Sequence, residues 1–212
     1  MKLTDRFSDA LTFAERLHRT QTRKGNDIPY VAHLMAVCAT VLEWGGDEDT
    51  AIAALLHDAV EDQGGLPTLR TIEEQFGPRV AKIVAACTDS TSVDPTTKPD
   101  WEVRKRAHIA KLATIDADVA LVTAADKLHN LTAIIRDVRQ QGPATMSRFN
   151  AKPDRLVWYF VSVAVAISQH RAVAPVGEIE EGVQVLASLV NLAVPVADLV
   201  SAGGGVTAGA GH

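Results

Sequence analysis

The chain has 212 residues, 47% of them hydrophobic and 22% charged, and this balance predicts a single folded domain with a sizeable core. Its 26 Asp and Glu residues outnumber its 21 Lys and Arg residues, giving a formal net charge of −5, so we expect neither nucleic acid nor an anionic membrane as a partner. The first ten residues lack the apolar core of a signal peptide, so we expect no export, and the most apolar stretches are too short or too interrupted for a membrane span. We therefore expect a cytoplasmic protein, whose oligomeric state the sequence leaves open.

Apolar residues recur at helical spacing along nearly the whole chain, which predicts an all-α fold of about eight or nine helices. Residues 161–167 alternate enough to imitate a strand, but they lie within a longer helical pattern. The predicted helices cover residues 4–18, 30–44, 47–62, 68–76, 78–87, 100–111, 116–140, 152–170 and 177–200. Residues 89–99 are rich in Ser, Thr, Asp and Pro and are predicted to form a loop, and residues 201–212 a flexible Gly-rich tail.

One segment of the third predicted helix combines an apolar stripe with one imidazole and three carboxylates. At helical spacing, His57 lies one turn before Glu61, and Asp58 lies one turn before Asp62. Imidazole and carboxylate groups suit a divalent metal, and the acidic pair could act on a water molecule as general base or acid. An amphipathic helix with a solvated acidic end is the plainer alternative, because a His-Asp dipeptide is a weak motif.

Two further polar residues stand within apolar helical sequence. Burying an unpaired carboxylate costs several kcal/mol, so we expect Asp126 to be paired, hydrogen-bonded or metal-bound. Asn130 lies one turn later on the same face. His33 lies in the first turn of the second predicted helix, where a histidine is more often a hydrogen-bonded core or boundary residue than a ligand. Taken alone, neither Asp126 nor His33 distinguishes a structural role from metal binding.

Basic residues gather in two places of this acidic chain. Arg23 and Lys24 lie on a polar loop between the first two predicted helices. The helix that follows Asp100 carries the densest cluster, which consists of Arg104, Lys105, Arg106, His108 and Lys111. Such a cluster could neutralise phosphates, but most charge runs are solvated helix faces, and we expect the same of this one.

The order of the polar residues resembles that of the HD-domain metal-dependent phosphohydrolases, and within them the hydrolase domain of the RelA/SpoT family and the small alarmone hydrolases. The family motif is a histidine on an early helix, an adjacent His-Asp pair and a distant Asp, matched in order by His33, His57-Asp58 and Asp126. The resemblance implies an HD-domain helical bundle in which these four residues bind a metal, with Mn²⁺ as the expected ion.

Three further matches narrow the resemblance to the alarmone hydrolases. The loop with Arg23 and Lys24 is similar to a family loop in which an Arg-Lys pair contacts the guanine nucleotide. Residues 125–130 are similar to a family segment whose Asn also contacts the nucleotide, and Asn130 stands at that position. Glu61 and Asp62 look like the acidic pair associated with hydrolysis. One departure bears on the substrate: Thr132-Ala133 stands where the bifunctional enzymes commonly carry Arg-Thr.

The resemblance implies hydrolysis of guanosine 3′,5′-bis(diphosphate), with or without a further 5′-phosphate, to GDP or GTP and pyrophosphate. We expect residues 1–172 to form the hydrolase domain and residues 173–200 a helix packed on it. We expect no synthetase domain, and therefore degradation of the alarmone without synthesis. Two alternatives stay open, namely a phosphohydrolase of NADPH or another phosphorylated nucleotide, and a non-catalytic nucleotide-binding module.

Overall fold

The fold is known from a computed structural model that describes residues 2–89 and 99–192. Within these ranges it contains ten α-helices and no β-strand, which confirms the predicted all-α class. The helices are α1 (Asp5–Leu17), α2 (Val31–Glu43), α3 (Glu48–Leu56), α4 (Ala59–Asp62), α5 (Leu66–Phe76), α6 (Pro78–Cys87), α7 (Trp101–Leu112), α8 (Ala117–Gln141), α9 (Pro153–Ala166) and α10 (Val176–Leu189). Two short 3-10 helices cover Pro143–Arg148 and Ser168–His170. Most of the predicted loop over residues 89–99, and the predicted tail, lie outside the described residues.

The third predicted helix is interrupted, and this part of the prediction was wrong. α3 ends just before His57 and α4 begins just after Asp58, so that both residues lie in the turn between the two helices. The Nδ1 atom of His57 lies 2.7 Å from the carbonyl oxygen of Ala54. In a continuous helix that carbonyl would accept the backbone N–H of Asp58, so a side-chain hydrogen bond takes the place of a helical one. The interruption positions two adjacent polar side chains at the edge of the core.

The 25-residue helix α8 forms the centre of the bundle. It packs against α2, α3, α6, α9 and α10. Its residues 119–126 are all buried, as are residues 50–56 of α3, and helices that are apolar on every side belong to a core. The buried stretch of α3 ends at His57 and that of α8 ends at Asp126, so the polar residues begin where the core stops.

Aromatic contacts pack α7 against α9. The ring of Trp101 on α7 lies 6.5 Å from that of Trp158 and 6.0 Å from that of Tyr159, both in edge-on arrangements. Such pairs add stability beyond the apolar area that they bury. This packing turns the side of α7 that carries Lys105 and His108 toward the interior.

The last helix ends earlier than predicted, at Leu189 instead of Val200. Asn191 adopts a left-handed conformation with φ 55°, and the N–H of Leu192 bonds to the carbonyl of Ala187 at 3.0 Å. These are the features of a Schellman motif, which ends a helix by satisfying its last carbonyl groups. α10 packs on α8 and α9, while residues 193–200 lie outside the described part of the chain. None of the helices in the described ranges is long and apolar enough to cross a membrane.

Candidate metal centre and its two cavities

Four side chains from three regions of the bundle direct their ligand atoms to one place. The Nε2 atoms of His33 on α2 and His57 lie 3.3 Å apart. The Oδ2 atom of Asp58 lies 3.4 Å from the first of these nitrogens and 3.0 Å from the second. The Oδ1 atom of Asp126 on α8 lies 3.3 and 3.6 Å from the same two nitrogens. The fold therefore brings together all four residues that the sequence motif singled out.

Hydrogen bonds behind the cluster orient its two imidazoles. His57 donates from Nδ1 to the carbonyl of Ala54, and the Nδ1 of His33 lies 2.8 Å from the Nδ1 of His129. Burial, and then the nearby His33 and Arg23, lower the pKa of His129 to about 4, so its neutral ring can accept the proton of His33. Each of these two candidate ligands thus turns its Nε2 atom toward the cluster, as metal-binding histidines do.

The two carboxylates are held by donors from other side chains. The hydroxyl of Tyr30 donates to Oδ2 of Asp58 at 2.6 Å. Lys127 donates to Oδ2 of Asp126 at 2.5 Å, and the amide of Asn130 donates to its Oδ1 at 2.5 Å. These bonds fix both carboxylates before any ligand arrives.

The charges of the cluster favour a bound cation. Burial would raise the pKa of Asp58 and of Asp126, but both pKa values are held well below the usual range. The opposing charge is that of His57 beside Asp58 and that of Lys127 beside Asp126. Hydrogen bonds with His33 and His57 lower both pKa values further. Burial alone would lower the pKa of His57, but the two carboxylates raise it well above the ordinary value. Two ionised carboxylates and two imidazoles suit a divalent transition metal, which would displace the histidine proton.

The cluster lies at the boundary between two cavities. The larger cavity has a volume of about 670 Å³ and reaches His33 and His129, and the smaller one, of about 200 Å³, reaches His57, Asp58 and Asp126. Residues that line both cavities are Tyr30, Asp62, Lys105, Lys127, Asn130 and Tyr159. A ligand could therefore extend from one cavity past the cluster into the other.

The predicted acidic pair lines the smaller cavity, but its two side chains have different surroundings. Glu61 shares a hydrogen bond with Asp89, and burial, followed by the charge of Asp89, raises the pKa of Glu61 to about 8. Burial would also raise the pKa of Asp89, but Lys105 and Arg104 lower it strongly. Asp62 is exposed and accepts a hydrogen bond from the amide of Gln21 at 2.8 Å. Glu61 therefore carries the proton of the Glu61–Asp89 pair near neutral pH.

The three predicted nucleotide contacts all line the larger cavity. Arg23 donates to the Oδ1 atom of Asn130 at 2.6 Å, so its guanidinium is linked through that amide to Asp126. Lys24 donates to the side chain of Asn150 at 3.1 Å. The structure thus places Arg23 and Asn130 together and Lys24 farther along the same wall.

The basic helix α7 does not have the fully solvated face that we predicted. Its residue Lys105 pairs with Asp89 at 2.5 Å and Arg104 with the same carboxylate at 3.0 Å, and both side chains are largely buried. His108 is only 3% exposed. Arg106 and Lys111 do lie on the exposed side. The prediction of a solvated face failed because Asp89, the partner of these cations, lies in another part of the sequence. In the sequence, Asp89 indicated only the start of a loop.

Several residues that support the cluster were not identified as functional from the sequence. His129, Tyr30 and Lys127 each contact one of the four predicted ligands. Spacing offered a partial signal, because residues three apart on a helix share a face and His129 follows Asp126 by three. The contact between Tyr30 and Asp58 joins elements that only the tertiary structure brings together.

Comparisons with known proteins agree with this geometry. The HD domain family profile matches residues 10–150. The guanosine-3′,5′-bis(diphosphate) 3′-pyrophosphohydrolase MESH1 of Drosophila melanogaster is 35% identical over 142 residues, covering 65% of this chain and 72% of that protein. A solved structure described as a metazoan ortholog of SpoT that hydrolyses ppGpp matches with a TM-score of 0.65 and 28% identity, over 89% of this chain and 97% of that one.

Longer relatives share one segment with this protein. The GTP pyrophosphokinase rsh of Brucella melitensis is 33% identical over 125 residues, which are 59% of this chain but 16% of the relative. The chain thus matches about one sixth of the length of such relatives. The HD domain profile, by contrast, spans well over half of this chain, and the ligand residues of the motif converge in space. The chain belongs to the HD domain family.

Proposed function

We propose that this protein removes the 3′-pyrophosphate of guanosine 3′,5′-bis(diphosphate), or of its 5′-triphosphate counterpart, giving pyrophosphate and GDP or GTP. The observation that carries the proposal is the convergence of two histidines and two aspartates at the boundary between a nucleotide-sized cavity and a smaller polar one. The activities named for MESH1 and for the metazoan SpoT ortholog support the same reaction.

The reaction needs a nucleophile and a proton donor. A water oxygen attacks the phosphorus that is bound to the ribose 3′-oxygen, the bond between them breaks, and the 3′-oxygen gains a proton. His33, His57, Asp58 and Asp126 would hold a divalent metal, and Mn²⁺ is the ion that we propose for this mixture of nitrogen and oxygen donors. Such an ion polarises a phosphoryl oxygen and lowers the pKa of a water molecule.

We assign the proton transfer to Glu61. Its raised pKa, about 8, leaves it protonated near neutral pH, so it can give a proton to the departing 3′-oxygen and then recover the proton that the water loses. The ionised Asp89 accepts the hydrogen bond of Glu61 and holds the carboxyl group in place. Asp62, which reaches both cavities, would orient the attacking water.

The larger cavity would hold the nucleoside and its 5′-phosphates. Arg23 lies over the ring of Tyr30 at 5.6 Å, and we propose that its planar guanidinium faces the guanine base. Asn130 would contact the ribose, because its amide already lies against Asp126. Lys24, which is exposed, would meet the 5′-phosphates.

We also propose the boundaries that the sequence suggested, with residues 1–172 as the hydrolase domain and residues 173–200 as a C-terminal segment whose helix α10 packs on it. The contacts of α10 with α8 and α9 support this packing. The cytoplasm, where guanine nucleotides are abundant, is the proposed location.

The test is to incubate the purified protein with guanosine tetraphosphate and Mn²⁺, with and without a chelator, and to resolve the products by ion-exchange chromatography. We expect GDP and pyrophosphate to be released in equal amounts, and the chelator to stop their release. Intact substrate, in protein shown to contain stoichiometric metal, would contradict the proposal.

A second candidate is the hydrolysis of NADPH or another phosphorylated nucleotide. Ala133 lines the larger cavity, whereas Thr132 is exposed and lies outside it. Because the bifunctional enzymes commonly carry a threonine at the position of Ala133, this wall lacks a hydroxyl that could contact guanosine. Product analysis across guanosine tetraphosphate, NADPH and nucleoside monophosphates would distinguish the two candidates.

A further inference from the structure

The inner wall of the smaller cavity contains buried polar atoms whose hydrogen-bonding capacity is unused, and two of them belong to His108 and Tyr159. In the described part of the chain, neither Nδ1 of His108 nor the hydroxyl oxygen of Tyr159 has a hydrogen-bond partner. The two residues are 3% and 5% exposed, and both line the cavity. A buried polar group without a partner is costly, and in native proteins it commonly marks a place that a ligand or water satisfies.

The charges around these atoms indicate what kind of ligand would fit. The ammonium groups of Lys105 and Lys127 lie 4.9 and 5.4 Å from the centre of the Tyr159 ring. Burial, and then these two lysines, lower the pKa of His108 to about 3, so its imidazole is neutral. A neutral imidazole can donate one hydrogen bond from Nδ1. Lys105 and Lys127 are each paired with one carboxylate at 2.5 Å, but an ammonium group has three N–H donors, so each lysine can also bind an anionic oxygen.

The place of His108 relative to the metal centre gives this anion a position in the proposed reaction. The cavity has His57, Asp58 and Asp126 in its wall as well as His108 and Tyr159. If the inner phosphate of a 3′-diphosphate lies at the metal ligands and the nucleoside lies in the larger cavity, the outer phosphate extends into the smaller one.

We propose that His108 is a specificity-determining residue that binds the outer phosphate of the 3′-diphosphate through Nδ1. This assignment of His108 rests on the proposed function for the identity of the substrate. Its role is to favour a 3′-diphosphate over a 3′-monophosphate, since a single phosphate at the metal centre would leave His108 without a partner.

The first test compares the unchanged protein with His108→Leu and His108→Gln. We expect His108→Leu to lower kcat/KM for guanosine tetraphosphate about 10-fold or more, as loss of a hydrogen bond to a charged group does. The inhibition constant of guanosine 5′-diphosphate 3′-monophosphate, used as a competing ligand, should change less than about 2-fold. His108→Gln keeps an N–H donor and should recover part of the loss. Equal losses for both nucleotides, or no loss, would overturn the proposal.

A second test does not depend on turnover. Pyrophosphate added to the metal-loaded protein should raise its Tm, and this rise should shrink in His108→Leu but persist in Lys111→Leu, a control on the exposed side of the same helix. Without ligand, His108→Leu should unfold no earlier than the unchanged protein, because it removes an unpaired buried group. If the Tm of His108→Leu were lower than that of the unchanged protein, His108 would have a structural role instead. A His108-dependent rise in a protein that leaves guanosine tetraphosphate intact would support the anion site and refute the proposed function.

Discussion

The wall that the two cavities share holds its charged side chains differently from Arg136, which lines only the larger cavity. In the shared wall, Lys127 and Lys105 each lie 2.5 Å from a carboxylate, and their side chains are 14% and 18% exposed. Arg136 is 55% exposed, and its nearest carboxylate lies 3.9 Å away. Buried pairs keep their geometry and charge, whereas exposed charges move and are screened. We therefore propose that the shared wall and the smaller cavity determine the chemistry of the proposed reaction, and that the exposed side of the larger cavity adjusts to the ligand.

Removal of a candidate metal ligand should have the largest effect on activity, because it disrupts the metal centre at the boundary of the two cavities. We expect Asp58→Ala and His57→Ala to abolish metal content, measured by elemental analysis, and to reduce activity to background. Asp116→Ala, which removes a surface carboxylate paired with Lys82, should change neither. Stoichiometric metal in the Asp58 or His57 variant would refute the ligand assignment.

Glu61→Gln tests the chemistry of the smaller cavity separately from metal binding. The amide keeps the size of the side chain but cannot exchange the proton, so we expect turnover to fall by about 100-fold or more. Metal content and Tm should stay close to those of the unchanged protein. Glu102→Gln on α7 serves as the control, and full activity in Glu61→Gln would remove Glu61 from the mechanism.

His129→Phe sharpens the comparison, because it changes a group behind the metal centre rather than a ligand. Loss of the contact with Nδ1 of His33 should weaken metal affinity by about 10- to 100-fold, as the loss of a supporting hydrogen bond to a metal ligand does. Titration with Mn²⁺ would measure this change. His170→Phe, in the second 3-10 helix, is the control, and unchanged affinity in His129→Phe would show that the contact does not orient His33.

Metal affinity should also depend on pH. The carboxylates of Asp58 and Asp126 raise the pKa of His57 well above its ordinary value, so below that pKa a proton competes with the metal. Affinity should therefore fall as pH falls, by up to about tenfold per pH unit for the one proton released. Calorimetric titrations from pH 8 to pH 6, in buffers of different ionisation heat, would measure the metal affinity and the number of protons released. Constant affinity without proton release would contradict this assignment of charges.

The smallest effect is expected in the larger cavity. Lys24→Ala removes an exposed ammonium whose hydrogen-bond acceptor is Asn150, so KM should rise by roughly 3- to 10-fold while kcat stays the same. Lys111→Ala provides a matched loss of charge outside both cavities. A large fall in kcat for Lys24→Ala would mean that this cavity takes part in the chemical step, contrary to the comparison.

Local sequence patterns were sufficient to predict most of the helices, whereas the four candidate metal ligands were recognised through their resemblance to the HD-domain motif. Helical periodicity, caps such as Thr4 and Asp47, and breakers such as Gly142 depend on neighbours within one or two turns. The apolar sequence around His57-Asp58 and Asp126 indicated that these polar residues have a specific role, but it left both a structural role and metal binding open. Periodicity could not show the interruption at His57, because the bond to the Ala54 carbonyl competes with a helix that the apolar pattern would otherwise continue.

Thus the sequence by itself determined the all-α class, the order of the helices and the identity of the candidate ligands. Only the tertiary structure decided which charges are buried, as for Lys105 beside Asp89, and which groups support the ligands, as for His129 beside His33. The physical reason is that the protonation and orientation of a side chain depend on burial and on partners from other helices, which sequence separation does not reveal.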